Sequence, residues 1–161
     1  MNPVFVKAEE ADIPVIFAQA KELIDAYEEI TAIDYEKVLA WMQRKISQHI
    51  SEYCCVLING KKCAYYRLCA DGELDDLYVL PPHRSKGIGA MILNKCIEQS
   101  KDIYLYVFQR NTRAIAFYER FGFTVRETVG KTRLIMERKV DTRKNGYYNR
   151  TRLKNCKEIE L

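Results

Sequence analysis

Apolar residues recur along the first 140 residues with two different periods, which predicts a chain that mixes helices and strands. A spacing of three or four residues begins near Ile13 and again near Asp34, and it predicts two amphipathic helices, the first capped by Asp12. Asn59-Gly60 and Asp71-Gly72 are typical hairpin turns, so the strands around them are predicted to be antiparallel. Apolar runs of strand length occur at residues 4–7, 53–58, 63–68 and 73–80.

The remainder of the pattern alternates between helices and strands. A helix is predicted from Gly87, and the run at 103–108 is apolar on both faces, which suits a covered strand in a parallel sheet position. A right-handed crossover would place that run beside Leu77–Leu80. Asn111 and Gly122 bracket a short helix, and two strands follow at residues 124–129 and 132–139. We therefore predict an α/β (α+β) fold with a mixed, mostly antiparallel central sheet and helices on both faces.

The stretch between residues 77 and 90 combines the features of an anion-binding site. It predicts a buried strand, a stop at two prolines, a loop with the cations Arg84 and Lys86, and a helix that opens at Gly87 and Gly89. Glycines let a ligand approach the backbone, and the first N–H groups of a helix are unpaired and carry partial positive charge. The predicted ligand of this site is a phosphate or a pyrophosphate.

Two common nucleotide motifs are excluded here, because both need a glycine where Ile92 stands. The pattern that fits, R-x-x-G-x-G-A over residues 84–90, resembles the acyl-CoA loop of the GNAT N-acetyltransferase superfamily. A second run, N-x-x-A-x-x-F-Y-x-x-x-G-F over residues 111–123, resembles that superfamily's second signature block. The resemblance covers nearly all of the chain but its tail, so we predict a GNAT acetyltransferase domain at residues 1–140 and a basic C-terminal extension at 141–161.

The resemblance implies a parallel strand pair splayed at an acyl-CoA site, and direct transfer of an acetyl group from acetyl-CoA to an amine. Residues 77–80 would contact the pantetheine arm, with the N–H of Val79 or Leu80 polarising the thioester carbonyl. Residues 84–90 would hold the pyrophosphate, mostly through backbone N–H groups. The expected cofactor-binding residues are Leu77, Tyr78, Val79, Leu80, Arg84, Ser85, Lys86, Gly87, Ile88, Gly89, Ala90, Asn111, Phe117 and Tyr118.

The resemblance also assigns a catalytic acid. Tyr118 would protonate the departing thiolate, although its helical spacing with Ala114 and Phe121 equally suits a core residue. Asn111 would contact the cofactor, cap its helix, or do both.

Glu73 is the candidate base, because it stands four residues before Leu77 on the same predicted strand. The alternative is a water relay, with Glu73 as a surface or structural carboxylate. Strand alternation places Glu73 and Asp75 on one face and Asp76 on the other, unless a bulge intervenes.

The acceptor is expected to be an amine of a small molecule or a peptide. In the superfamily that the chain resembles, the first two helices build most of the acceptor site, and here Tyr27 and Trp41 lie in that region. An acidic mouth would favour a cationic amine such as a polyamine, an aminoglycoside or a lysine side chain. The acids of this region are Glu22, Asp25, Glu28, Glu29, Asp34 and Glu36.

Composition narrows the alternatives. A chain of 161 residues with 48% hydrophobic and 30% charged residues is typical of one globular domain. It shows no signal peptide and no apolar run of membrane-spanning length, so we expect a cytoplasmic protein without a membrane partner. Residues 131–161 carry ten Lys and Arg against four acids, which makes nucleic-acid binding a third-ranked function, behind a non-catalytic acyl-CoA-binding module. A monomer and a homodimer are both compatible with the sequence.

The six cysteines are predicted to be reduced and to bind no metal. No C-x-x-C pair occurs, and the neighbours Cys54 and Cys55 should point to opposite faces of one strand. Cysteine in apolar strand-like runs behaves as a small buried hydrophobe.

Overall fold

A computed structural model of the chain describes residues 2–140; the predicted basic extension at 141–161 lies outside the described residues. The strands are β1 (Pro3–Lys7), β2 (Cys54–Ile58), β3 (Lys61–Leu68), β4 (Leu74–Val79), β5 (Ile103–Phe108), β6 (Thr124–Val129) and β7 (Arg133–Arg138). The helices are α1 (Ile13–Tyr27), α2 (Tyr35–His49), α3 (Ile88–Gln99) and α4 (Thr112–Arg120). Within residues 2–140, no helix has both the length and the apolar character that a membrane span needs.

The strands form two antiparallel sheets that meet at one parallel bridge. The first sheet has the order β1-β2-β3-β4, and the second has the order β5-β7-β6. Glu73 and Tyr104 form the parallel bridge between the sheets, and the Tyr104 N–H donates to the Gly72 carbonyl at 3.1 Å. The predicted mixed, mostly antiparallel fold with a splayed parallel pair is therefore confirmed.

Gly72 is the residue that lets the two sheets meet. Its φ of +95° lies in the left-handed region, and a Cβ atom there would lie 2.4 Å from the Asp102 carbonyl oxygen. Any side chain at this position would separate β4 from β5.

Helices cover both faces of the first sheet, as the pattern predicts. One core cluster joins α1 and α2 to the face that carries Cys55 and Tyr65, and the other joins α3 to the face that carries Cys54. Cys54 and Cys55 therefore do point to opposite faces. Burial raises the pKa of the Cys55 thiol to about 11 and that of Cys96 to about 12, so both stay protonated near neutral pH.

The prediction that the Asp12 side chain caps α1 is wrong. A short 3-10 turn, Glu10–Asp12, leads directly into the helix, so Asp12 has helical backbone angles and its side chain turns inward. The buried carboxylate accepts hydrogen bonds from the Glu9 N–H at 2.8 Å and from Lys62 Nζ and the Tyr65 hydroxyl at 2.7 Å. Burial opposes its ionisation, but these three donors outweigh burial and lower the pKa of Asp12.

Candidate active site

β4 and β5 are unpaired with each other beyond the Glu73–Tyr104 bridge, and the space between their facing edges is called here the cleft. β4 pairs with β3 along its other edge, and β5 pairs with β7. Within residues 2–140, no further ladder joins β4 to β5. The facing edges of the two strands therefore leave backbone groups available to a ligand that lies along the cleft.

Alternation along β4 decides which N–H groups face the cleft. The Leu80 N–H donates to the Cys63 carbonyl at 2.9 Å and so belongs to the pairing with β3. In an antiparallel ladder the bonded and non-bonded positions alternate, so Leu77 and Val79 turn their N–H groups away from β3 and toward the cleft. Of the two donors predicted to polarise a carbonyl, Leu80 is already engaged and Val79 is free to serve.

The loop over residues 84–90, called here the glycine loop, presents consecutive backbone donors at the mouth of the cleft. Ser85 and Gly87 have positive φ values of 61° and 82°, and α3 begins immediately afterwards at Ile88. In the part of the chain that the structure describes, none of the six N–H groups from Ser85 to Ala90 donates to a protein acceptor. A turn with such angles followed by a helix N-terminus is a site for an anion with several oxygens.

The three predicted cofactor segments come together at Gly89. A Cβ atom built on Gly89 would lie 3.6 Å from Phe117 Cζ and 3.8 Å from Val79 Cγ2. The glycine loop, the end of β4 and helix α4 are therefore in direct contact, as the predicted cofactor site requires.

The cations near the glycine loop are arranged differently from the prediction. The Arg84 guanidinium turns away from the loop donors and contacts the Val79 carbonyl and two residues of α1. Lys86 is exposed. Arg113, in the first turn of α4, donates to Ser85 Oγ at 3.1 Å. Sequence reasoning missed Arg113, because only the packing of α4 against the loop brings it there.

Helix α4 carries Tyr118, whose hydroxyl has no hydrogen-bond partner among the described residues. Asn111 caps this helix through a hydrogen bond from the Ala114 N–H to its Oδ1 at 3.2 Å, so the capping prediction is confirmed. The Tyr118 ring lies 5.2 Å from the Phe117 ring and 5.5 Å from the Phe123 ring, centre to centre. Among residues 2–140, no group forms a hydrogen bond with the Tyr118 hydroxyl.

The environment of Tyr118 keeps its hydroxyl protonated. Burial is the largest cause, and the nearby Cys96 and Asp76 add to it, so the pKa of Tyr118 lies well above its ordinary value. The Tyr118 ring packs in the core as predicted, and its hydroxyl keeps its proton at neutral pH, as the predicted role of acid would require.

Glu73 lies at the closed end of the cleft, where its acidity is reduced. Its carboxylate lies within 4.8 Å of a carboxylate oxygen of Asp71. Burial first, and then the charges of Asp75 and Asp71, raise the pKa of Glu73. A carboxylate with a raised pKa is a stronger base than an ordinary one.

The acetyltransferase (GNAT) family profile matches residues 17–123, which is two thirds of the chain and includes the cleft, the glycine loop and α4. The chain belongs to the GNAT family.

Curated relatives match over a shorter segment. An uncharacterized N-acetyltransferase of Methanocaldococcus jannaschii is 39% identical over 62 residues, which are 35% of this chain and 27% of that protein. A glucosamine 6-phosphate N-acetyltransferase of Trypanosoma brucei brucei is 35% identical over 60 residues, or 36% of this chain and 41% of its own length. A peptidyl-lysine N-acetyltransferase of Salmonella typhimurium is 30% identical over 60 residues, or 37% and 41%. The chain thus spans less than half of the length of these relatives.

Solved GNAT structures extend the similarity of the fold to most of the chain. A PaiA N-acetyltransferase from Thermoplasma acidophilum in complex with coenzyme A has a TM-score of 0.64 at 21% identity, over 87% of this chain and all (100%) of that one. Naa50 of Arabidopsis thaliana, in complex with the bisubstrate analogue CoA-Ac-MVNAL, has a TM-score of 0.55 at 21% identity, over 87% and 100%. At these identities the likeness concerns the GNAT fold.

A bulge in β4 changes the face of the sheet on which the acids next to Glu73 lie. The register of β3 with β4 skips Asp75, so the bulge that the sequence leaves open as the alternative is present, and simple alternation does not hold for this residue. Lys45 Nζ lies 3.0 Å from Asp75 and 3.2 Å from Asp76, which places both acids on the α2 face. Asp76 also accepts hydrogen bonds from the hydroxyls of Tyr53 and Tyr78, the latter at 2.6 Å. Both acids are engaged in this network, which leaves Glu73, the residue directly before β4, as the candidate base.

Four of the six acids in the region of the first two helices form ion pairs, two with neighbours in sequence and two with distant arginines. Because these contacts compensate much of their charge, the acidic cluster does not by itself argue for a cationic acceptor. The ion-pair distances are 3.2 Å for Glu22–Arg84, 2.6 Å for Asp25–Lys21, 3.6 Å for Glu28–Arg133 and 3.7 Å for Asp34–Lys37.

The predicted aromatic residue Trp41 lies on the surface of α2. Its side chain is 55% exposed, and Lys45 Nζ lies 5.8 Å from its ring centre.

Proposed function

We propose that this GNAT chain is an acetyl-CoA-dependent N-acetyltransferase that transfers the acetyl group directly to a primary amine. The observation that carries the proposal is the run of six unpaired N–H groups at residues 85–90, which opens onto the cleft between β4 and β5. A pyrophosphate offers many acceptor oxygens to such a run, and a pantetheine arm is extended enough to lie along a strand edge. Acetyl-CoA supplies the activated thioester.

The residues of the cleft have separate tasks in this reaction. The amine nitrogen forms a bond to the acetyl carbon while the carbon–sulfur bond breaks. Glu73 takes a proton from the amine, and Tyr118 gives a proton to the sulfur as it leaves. A cleft-facing N–H of β4 stabilises the negative charge that develops on the thioester oxygen.

Leu77 is the N–H donor that fits best with Glu73 as the base. At about 3.3 Å per residue, Glu73 is roughly 13 Å along the strand from Leu77 and roughly 20 Å from Val79. Leu77 is therefore the cleft-facing donor nearer to Glu73, and bridging water completes the path from the carboxylate to the amine. Val79 then contacts the pantetheine arm.

An amine acceptor is also consistent with the named relatives. They include a glucosamine 6-phosphate N-acetyltransferase, a peptidyl-lysine N-acetyltransferase and Naa50 in complex with the bisubstrate analogue CoA-Ac-MVNAL. Because four of the six acids are already in ion pairs, the acidic region favours no charge class, and both neutral and cationic amines belong in a substrate search.

The direct test is release of the CoA thiol from acetyl-CoA in the presence of a panel of amines: amino sugars, polyamines, lysine peptides and peptides with a free N-terminus. We expect thiol release that depends on at least one amine, with mass spectrometry showing one acetyl group on that amine. Binding of CoA without turnover of any amine would instead indicate a non-catalytic acyl-CoA-binding module.

The Glu73→Gln variant tests the base. Because only the ionised carboxylate accepts a proton, kcat/KM should fall as the pH drops through the raised pKa of Glu73, which lies above the ordinary value of 4.5. We expect Glu73→Gln to reduce kcat by about a hundredfold and to remove this acid limb. Asp75→Asn is unsuitable as a control because of its ion pairs, so Glu10→Gln, at an exposed position in the 3-10 turn before α1, is preferred. An unchanged pH profile in Glu73→Gln would assign the proton transfer to a water relay.

The Arg113→Ala variant tests the cation that α4 brings to the glycine loop. Its guanidinium lies beside Ser85, so it can donate to a phosphate oxygen bound at the loop. We expect the Kd for CoA, measured by calorimetry, to rise by about tenfold, while Arg126→Ala on β6 leaves it unchanged. Equal affinities for Arg113→Ala and the parent chain would remove Arg113 from the phosphate site.

A further inference from the structure

We infer that Arg84 is a positioning residue that ties the glycine loop to helix α1, and that its guanidinium does not bind the phosphates of CoA. The inference rests on the proposed function. It concerns the residue that the sequence most directly offers as a phosphate ligand, because Arg84 opens the R-x-x-G-x-G-A pattern.

Each of the three guanidinium nitrogens of Arg84 donates one hydrogen bond. Nε donates to the Val79 carbonyl oxygen at 2.9 Å. One terminal nitrogen donates to Glu22 Oε1 at 3.2 Å, and the other donates to Gln19 Oε1 at 3.0 Å. The guanidinium plane carries its donors in a fixed geometry, so these contacts together fix its orientation.

The backbone of Arg84 is engaged as well. Its N–H donates to the Pro81 carbonyl at 3.3 Å, whereas the unpaired N–H groups begin only at Ser85. To reach a phosphate at those donors, the guanidinium would have to leave a carbonyl, an amide oxygen and a carboxylate. The negative charge of Glu22 competes directly with any phosphate for it.

These contacts join β4, the glycine loop and α1, whose relative positions must be fixed for the proposed reaction. Val79 is the last residue of β4, and its carbonyl lies at the point where the strand ends and the loop begins. Gln19 and Glu22 are one turn apart on α1. Arg84 therefore fixes the end of the cleft strand and the start of the glycine loop relative to α1, and it pre-organises the N–H groups of the loop.

A mutant cycle on the full chain separates a positioning role from phosphate binding. The variants are Arg84→Ala, the pair Gln19→Ala with Glu22→Ala, and the combination of all three, with CoA affinity measured by calorimetry. We expect the Kd for CoA to rise about tenfold in Arg84→Ala, about threefold in the α1 pair, and about tenfold, not thirtyfold, in the combination. Such non-additivity is the mark of residues that act through one another.

If the Arg84 guanidinium bound a phosphate of CoA, the Kd for CoA in the α1 pair would change in the opposite direction. Removing Gln19 and Glu22 would release the guanidinium, and CoA would then bind equally well or more tightly. That result would overturn the inference. The α1 pair also keeps the test valid if Arg84→Ala fails to fold, because alanine is a strong helix former and suits both the half-buried Gln19 and the exposed Glu22 positions of α1.

The matched control is the exposed ion pair between Arg126 and Glu137, at 3.3 Å, in the second sheet. Arg126 and Arg84 have the same side-chain exposure, 39%. Arg126→Ala and Glu137→Gln should leave the Kd for CoA unchanged. Failure of the parent chain to bind CoA would overturn the proposed function, whereas normal binding with an unaffected α1 pair would overturn only the role of Arg84.

Discussion

Gly87→Glu is expected to abolish CoA binding, with a loss of at least about a hundredfold in affinity. Gly87 is the N-cap of α3 and has a φ of +82°, so its position is in the middle of the unpaired N–H groups. A Cβ atom there would meet no protein atom within 4 Å, so the new carboxylate would occupy the open space in front of these donors. The carboxylate would therefore both compete with and repel a pyrophosphate.

Gly60→Glu is the matched control for this substitution. Gly60 also has a positive φ, +76°, and open space around its Cα, but it lies in the turn between β2 and β3. Both substitutions should lower the free energy of unfolding by about 1–2 kcal/mol, because a side chain is strained in this backbone region. Only Gly87→Glu should lose CoA. Calorimetric titration that gave equal affinities for the two variants would show that the glycine loop is not the anion site.

Tyr118→Phe is expected to lower kcat by about a hundredfold while leaving the Kd for CoA within about threefold of the parent value. The hydroxyl donates to no group among residues 2–140, so its removal breaks no protein hydrogen bond, and the ring contacts with Phe117 and Phe123 are kept. The measurement is thiol release at saturating acetyl-CoA. Because the pKa of Tyr118 is raised, the acid should stay protonated across neutral pH, and kcat should show no decline there from its ionisation.

Tyr66→Phe is the matched control for loss of a tyrosine hydroxyl. Tyr66 is fully buried in the α3-side core, and its hydroxyl also has no hydrogen-bond partner among the described residues. We expect an unchanged kcat for this variant. If Tyr118→Phe likewise retained kcat within about threefold, Tyr118 would be a packing residue and the thiolate would leave without its proton.

The donor side of the site could be predicted from sequence because its parts are contiguous. An anion loop needs neighbouring N–H groups, so Gly87, Gly89 and the helix that follows them carry the signal within a few residues. Asn111 and Gly122 are likewise local signals that mark the ends of α4. Such features follow from backbone conformation, which short stretches of sequence encode well.

The directions of long side chains could not be predicted in the same way. Arg84 turns toward α1 and Arg113 turns toward the glycine loop, and each choice depends on a partner far away in the sequence. The bulge at Asp75 was foreseen only as an alternative, because one extra residue leaves no clear mark on an apolar pattern. Gly72 was interpreted as a turn, whereas its close approach to Asp102 depends on the packing of β5.

Amide chemical-shift mapping on the ¹⁵N-labelled full chain tests the central claim most directly. On addition of CoA, we predict that the largest shifts fall on the amides of residues 85–90, followed by those of Leu77 and Val79, which face the cleft. The Leu80 amide, which is bound to the Cys63 carbonyl, should move less than both of these neighbours on β4. Shifts that cluster away from the glycine loop and the cleft, or no shifts at saturating CoA, would contradict the account.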